Sequence, residues 1–162
     1  MKYLKRSALI LALALTVAAF AACGSATISR PTPSEGAQTV EIGGDVRAEI
    51  RSGELYVSCS TDALDNTVLK VSVDSYTGDE LASVVYYKTC PNFYASFPIE
   101  ESWGTGPVFA SLVIESKANG DQPKEVYEQY GNRFENLTGE NVLWNANGNV
   151  VVIQTGPIAL EK

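Results

Sequence analysis

The sequence contains no histidine, and its 12 basic residues are outnumbered by 19 acidic ones. Histidine is the commonest general base, the commonest zinc ligand and the usual partner of a nucleophilic serine or cysteine. Its absence excludes every Ser-His and Cys-His nucleophile pair. A serine nucleophile would need a lysine base instead, and no Ser-x-x-Lys motif occurs. We therefore predict a protein that is not an enzyme and that has no cofactor and no metal site.

Long hydrophobic runs are also missing, with one exception near the start of the chain. Three basic residues precede an apolar run over 7–22, which ends in Phe-Ala-Ala and is followed by Cys23. A basic segment, an apolar segment and small residues in this order are typical of an export signal. The segment resembles the leader of bacterial lipoproteins, whose lipobox has Leu or a similar residue, two small residues and a cysteine. The resemblance implies that 1–22 is a cleaved signal peptide and that Cys23 is acylated, for example with palmitate.

The same resemblance implies a protein anchored by lipid at the extracytoplasmic face of the cell membrane. Two other interpretations of the leader remain open. In the first, residues 1–22 are an ordinary secretory signal and Cys23 follows by chance. In the second, they are an uncleaved membrane span. The apolar run is shorter than the roughly 20 residues that a spanning helix needs, which disfavours the span.

Removal of 1–22 takes away three basic residues and no acidic ones, so the mature chain has 9 basic and 19 acidic residues and a formal charge of −10. Such a surface repels nucleic acid and bare anionic headgroups. Attachment to the membrane must then come from the acyl chains, which contribute about 0.8 kcal/mol per buried CH₂. We expect the membrane as one partner, a cell-wall glycan or an envelope protein as a further one, and no nucleic acid.

Cysteine is rare, and with Cys23 acylated only Cys59 and Cys90 remain. An even pair in an exported domain predicts a disulfide. This bond would close a loop of about 32 residues and stabilise the domain by roughly 3–4 kcal/mol in the chain-entropy account. Two free thiols are the alternative.

The mature chain divides into a tether and one domain. Residues 24–39 are rich in Ser, Thr, Pro and Gly and contain one large apolar residue, so 23–39 is predicted to be a flexible tether. A coil of this length spans roughly 20–25 Å, enough to hold the domain off the headgroups. The remaining segment, 40–162, suffices for a single domain.

Apolar and polar residues alternate with period two from residue 40 onward, and turn residues recur every 8–12 positions. This pattern predicts an all-β fold, an antiparallel β-sandwich or small barrel. The clearest hairpin has Asn147-Gly148 in a type I′ turn. It leads into 150–153, which is apolar on both faces and suits a central strand. One short helix is predicted over 121–134 from apolar residues four positions apart.

The stretch from 69 to 114 resembles the immunoglobulin-like sandwiches of exported bacterial proteins. The likeness rests on the hairpin LKVSVDSYTGDELASVVYY and on FPIEESWGTGPVFASLVIES, in which a Gly-x-Gly-Pro turn leads into a late strand. No tryptophan lies between Cys59 and Cys90, so the Cys-Trp-Cys arrangement of antibody domains is absent. The resemblance implies a sandwich and no particular function.

Aromatic residues supply the candidate binding site. Trp103 follows Glu100 and Glu101 and precedes a glycine-rich turn, which predicts an exposed loop. Sugars stack on exposed rings and are oriented by nearby carboxylates, so Trp103 and Tyr94 with these two glutamates are the predicted ligand-binding residues. The alternative is that the rings fill the core, and this interpretation is favoured more for Trp144 than for Trp103.

Carboxylates are the last group with possible chemistry. The pairs Asp79-Glu80 and Glu100-Glu101 are adjacent in sequence, so their side chains diverge, whereas glycoside hydrolysis needs two facing carboxyl groups. Asp62, Asp65 and Asn66 are the best candidates for calcium, but the EF-hand spacing is missing.

We expect a lipid-anchored, non-enzymatic binding or structural module of the cell envelope. The alternatives are a carbohydrate- or peptidoglycan-binding accessory module and an envelope hydrolase with carboxylate catalysis.

Overall fold

A computed structural model describes residues 29–117 and 121–160. The predicted signal peptide and the lipidation site at Cys23 lie outside these ranges. Strands make up about 49% of the described residues and helix about 8%, so the fold is mainly β. No helix in the described ranges has both the length and the apolarity to cross a bilayer.

Ten strands, one short α-helix and one 3₁₀ turn follow one another along the described chain. They are β1 Val40–Glu41, β2 Gly44–Arg51, β3 Glu54–Thr61, β4 Val68–Ser75, β5 Glu80–Tyr87, β6 Asn92–Pro98, the 3₁₀ turn Glu101–Trp103, β7 Val108–Glu115, α1 Lys124–Tyr130, β8 Leu137–Thr138, β9 Val142–Asn145 and β10 Gly148–Gln154.

The strands form an antiparallel β-sandwich, as the sequence predicted. One sheet has five strands in the order β5-β4-β7-β10-β9, and the other has three in the order β2-β3-β6. A short parallel pair, β1 with β8, lies beside them. Strand β10 is central, between β7 and β9, which confirms the prediction from its apolar character on both faces. The core is formed by the inward residues of both sheets, including Leu55, Val57, Leu69, Val71, Val73, Leu112, Ile114 and Val151.

The β2-β3 hairpin shows how the local sequence produces this arrangement. Leu55 and Val57 are buried, whereas the intervening residues of β3 face outward. Arg51 pairs with Glu54, so the loop is the two residues Ser52 and Gly53. Both have positive φ, 50° and 81°, the conformation of a type I′ turn that suits the twist of the strands.

Helix α1 packs its apolar side into the core. Val126 and Tyr130 are buried there together with Phe134, and the Tyr130 and Phe134 rings meet edge to face at 5.5 Å. The Tyr130 hydroxyl accepts a hydrogen bond from the Leu64 amide at 2.7 Å. The helix is shorter than the predicted 121–134 at both ends: it begins at Lys124, after Pro123 in an extended conformation, and Gly131, with φ 89°, ends it.

The predicted type I′ turn at Asn147-Gly148 is wrong by one residue. Asn145 pairs with Gly148, so Ala146 and Asn147 form the loop and Gly148 is the first residue of β10. Gly148 has φ 149°, and a Cβ there would lie 2.4 Å from the Arg133 carbonyl oxygen. The glycine is needed for close approach to a distant segment, and not for the turn itself.

Strand β6 is not predicted by the sequence pattern. The Cys90-Pro91-Asn92 segment indicates a break, but the strand that begins at Asn92 pairs with β3 as the third strand of the smaller sheet. Only one large apolar pair, Phe93 and Phe97, marks its inward face, so its alternation is weak. This strand positions Tyr94.

The predicted disulfide is absent from the structure, and both cysteines are free. Cys59 lies on the inward face of β3 and is 3% exposed, whereas Cys90 is exposed in the connection before β6. The residue opposite Cys59 is Phe93, three positions beyond Cys90. Cys90 precedes the strand, and its thiol donates to the Asn92 carbonyl at 2.8 Å and not toward the buried Cys59.

Residues from Arg30 onward contact the domain, although the tether was predicted to extend to residue 39. The Arg30 guanidinium donates to the Val142 carbonyl at 3.3 Å. The Asn149 side-chain amide donates to the Pro31 carbonyl at 3.5 Å. Because these contacts lie on β9 and β10, only a short stretch of chain separates Cys23 from the folded domain.

Candidate functional site

The outer face of the three-stranded sheet carries the most developed surface site. Alternation along β2, β3 and β6 points one set of side chains away from the core. We call this surface the Tyr56–Tyr94 face. Its central residues are Arg47, Arg51, Tyr56, Ser58, Tyr94 and Ser96.

The two tyrosines are diagonal neighbours on this face. Tyr94 lies opposite Ser58 across the β3-β6 ladder, and Tyr56 lies opposite Ser96. Tyr94 is 74% exposed and Tyr56 is 37% exposed. Both tyrosines, with Arg47, Arg51 and Ser58, border a shallow cavity of about 400 Å³. Two open rings beside serine hydroxyls provide stacking surface and hydrogen-bonding groups together.

Charged groups at the rim hold Tyr56 in place. The Ser96 hydroxyl donates to Glu54 at 2.6 Å, and this bond, together with one from Tyr56, lowers the pKa of Glu54. The same contact with Glu54 raises the pKa of the Tyr56 hydroxyl. On the other side, the Arg51 guanidinium lies 5.7 Å from the centre of the Tyr56 ring. The phenol is therefore flanked by the Arg51 guanidinium and by two carboxylates, that of Glu54 and that of Glu49, which lies opposite Tyr56 on β2 and pairs with Arg51.

Tyr94 is positioned from behind by the opposite sheet. The Tyr86 hydroxyl of β5 donates to the Tyr94 backbone carbonyl at 2.9 Å. The Tyr86 ring packs against Phe93 with a centroid separation of 5.5 Å. These contacts fix the position of the β6 backbone, and the Tyr94 side chain remains exposed on the outer face.

The predicted pairing of Trp103 with Tyr94 is wrong because Trp103 is buried. Its 3₁₀ turn folds the indole into the core, where it is 7% exposed. Trp144, for which a core position was favoured, is 45% exposed on β9. Glu100 and Glu101 are exposed, and the Ser102 hydroxyl donates to Glu100 at 3.0 Å. They border a turn and form no site with Trp103.

The acidic loop residues have local partners. Asp62 accepts a hydrogen bond from the Gly43 amide at 2.7 Å, and Asp65 pairs with Lys88 at 2.9 Å. Glu80 accepts from Lys70 and from Ser83, each at 2.7 Å. Within the described ranges, no group of three His, Cys, Asp or Glu side chains has an arrangement that would hold a metal ion. Asp62 and Asp65 instead fix the loop between β3 and β4.

A second, more open groove of about 990 Å³ lies between α1 and the β9-β10 turn. Cations and amides line much of it, including Lys117, Lys124, Arg133 and Asn147, with Asp121 and Glu128 as the acidic members. The Arg133 guanidinium donates to the Ala146 and Asn147 carbonyls at 3.3 and 3.4 Å. This groove was not anticipated, because only the fold brings its two walls together.

No protein-family model matches the chain, and neither a curated protein nor a solved structure shows significant similarity to it.

Proposed function

We propose that the protein is a lipid-anchored, non-enzymatic module of the bacterial cell envelope that binds a cell-wall carbohydrate on the Tyr56–Tyr94 face. The observation that carries the proposal is the pair of open phenol rings, fixed by the sheet and surrounded by charged and hydroxyl groups. Sugars offer apolar ring faces for stacking and hydroxyl edges for hydrogen bonds, so they match both kinds of group.

The backbone supports recognition without rearrangement. Tyr56 and Tyr94 lie on paired strands, and Tyr94 is held through its carbonyl by Tyr86. A site on a rigid sheet loses little conformational entropy when a ligand binds. The ionised Glu54 and the Arg51 guanidinium supply an acceptor and donors beside the rings.

The binding test uses isolated peptidoglycan and a glycan array with the chain from residue 24 onward. Truncation of a stacking ring costs on the order of 1 kcal/mol, so Tyr94→Ala should weaken binding about fivefold. Tyr87→Ala is the matched control, because Tyr87 is 67% exposed but lies on the other sheet. Equal retention of Tyr94→Ala and the parent chain on the glycan would contradict the proposed face.

The anchor is tested separately. Cys23→Ala should move the protein from the membrane fraction to the soluble fraction, because the acidic mature chain then lacks the acyl chains that hold it to the bilayer. Mass spectrometry of the parent protein should show an acylated Cys23 as its first residue. Sedimentation of the alanine variant with membranes in detergent-free buffer would argue against the anchor.

A further inference from the structure

Pro31 lies beside an exposed aromatic edge of the larger sheet. The Pro31 carbonyl accepts a hydrogen bond from Asn149, and Asn149 is the cross-strand partner of Trp144. Trp144 and its neighbour Leu143 lie on β9, which is the edge strand of the five-stranded sheet. Both are among the exposed large hydrophobic residues of the domain. We call Leu143 and Trp144 the β9 edge.

We propose that the β9 edge is a membrane-contacting surface, which lies in the interfacial layer of the bilayer when Cys23 is acylated. This inference rests on the lipid anchor of the proposed function. The sequence alone predicted a tether that holds the domain off the headgroups, and the contacts of Arg30 and Pro31 remove most of that tether.

Chain length limits how far the edge can be from the membrane. Pro31 follows the acylated Cys23 by eight positions, which is a reach of at most about 29 Å at full extension. As a flexible coil the same stretch spans about 15 Å. The edge is therefore held near the headgroups at a high effective concentration, so that even a weak contact is populated.

The side chains suit the interfacial layer. Tryptophan is enriched there because its ring is apolar and its N–H can remain hydrogen-bonded. Leu143 and Trp144 are consecutive on a strand, so they point to opposite faces of the sheet. Because β9 is an edge strand, an approach along that edge brings both side chains into contact with the bilayer.

The distribution of charge favours the same orientation. Four of the eight basic residues in the described ranges surround the β9 edge and the adjoining groove, namely Arg30, Lys117, Lys124 and Arg133. Seven of the eighteen acidic residues are nearby, namely Glu41, Glu115, Asp121, Glu125, Glu128, Glu135 and Glu140. The rest of the domain has four basic against eleven acidic residues, so the end with the β9 edge is the less strongly repelled by anionic headgroups.

The test measures tryptophan emission from the lipidated protein in vesicles of equal parts phosphatidylcholine and phosphatidylglycerol. Lipids with brominated acyl chains should quench the emission of Trp144 and leave that of buried Trp103. Trp144→Phe should abolish the quenching. A chain with Trp144→Phe and Tyr87→Trp, which moves the reporter to the opposite edge of the same sheet, should show none. Unquenched Trp144, or equal quenching of the Tyr87→Trp reporter, would overturn the inference.

A second experiment tests the membrane contact of the β9 edge independently of the proposed acylation of Cys23. If mass spectrometry finds no acyl group on Cys23, the proposed anchor is wrong. A chain that begins at Cys23 and carries Cys90→Ser can then be coupled through Cys23 to a maleimide phospholipid, because Cys59 is buried. Quenching of Trp144 in these vesicles would still support the β9 edge, and its absence would reject it.

Discussion

The hydroxyl of Tyr86 donates a hydrogen bond to the backbone carbonyl of Tyr94 at 2.9 Å. Tyr86 lies on β5, an edge strand of the five-stranded sheet, and Tyr94 lies on β6, an edge strand of the three-stranded sheet. The bond therefore joins the two layers of the sandwich along one side. The position of the Tyr94 ring in the proposed binding site therefore depends on how the two sheets pack.

Loss of this bond is the first prediction. Tyr86→Phe should lower the free energy of unfolding by about 1 kcal/mol, because the carbonyl of Tyr94 loses its donor while the ring contact with Phe93 remains. Urea denaturation measures the change. Tyr87→Phe is the control, since Tyr87 is largely exposed. Equal stability of the two variants would show that the bond contributes nothing.

The second prediction concerns two glycines with positive φ. Gly148→Ala should destabilise the domain by more than about 2 kcal/mol, because a Cβ would clash with the Arg133 carbonyl and φ is unfavourable for alanine. Gly53→Ala has the φ penalty alone and should cost about 1 kcal/mol, because no atom lies within 4 Å of the position that its Cβ would take. Thermal denaturation compares the two variants, and a smaller effect at Gly148 would contradict the close approach.

Thiol reactivity gives the third prediction. Burial raises the pKa of the Cys59 thiol to about 12, with Asp45 adding to the shift. Since the thiolate is the reactive form, iodoacetamide at mildly alkaline pH should label Cys90 in the folded chain and Cys59 only after unfolding. Cys90→Ser should then show no labelling when folded. A reductant should leave the melting temperature unchanged, whereas a marked fall would indicate a disulfide.

Truncation of the two tryptophans should lower the free energy of unfolding by very different amounts. Trp103→Ala removes a buried ring from the core and should cost about 3–5 kcal/mol. Trp144→Ala removes a half-exposed ring from an edge strand and should cost below about 1 kcal/mol. Chemical denaturation of both variants measures the difference, and a larger loss for Trp144 would reverse the assignment of core and surface.

The fifth prediction is a pH dependence centred on Asp74. Burial raises the pKa of Asp74 above the ordinary value of 3.8. The hydrogen bond from Ser72 lowers this pKa, but its effect is smaller than that of burial. Because folding favours the protonated form, the stability that Asp74 contributes is present below pH 3.8 and is lost as the pH rises through its folded pKa. The gain in stability from Asp74→Asn should therefore be larger at neutral pH than in acid. Urea denaturation at both pH values measures it, and a gain independent of pH would contradict the prediction.

Patterns within short segments were sufficient for much of the fold. The alternation of Leu55 and Val57 with polar neighbours predicted β3, and the apolar run of Val150 to Ile153 predicted a central strand. The helix around Tyr130 was expected from the four-residue spacing of its apolar positions. These signals are local because backbone geometry alone sets the periods of strands and helices.

Errors arose where distant segments decide the outcome. Trp103 lies in a polar, glycine-rich context, yet its turn packs against the core. Gly148 was assigned to a turn, but its role depends on Arg133, which lies on another segment. The alternation of β3 places Tyr56 on the outer face, but its proximity to Tyr94 required the pairing of β3 with β6, a strand with weak alternation.

The amino-acid sequence by itself determined the mainly-β architecture, the acidic surface and the absence of imidazole chemistry, because composition and local periodicity do not depend on how the chain packs. Only the tertiary structure decided which rings are open, that Cys59 and Cys90 lie apart, and that the segment after Arg30 rests on β9 and β10. The exposure of a side chain and its distance from another depend on contacts between segments far apart in the chain. Those contacts form only when the two sheets pack against each other.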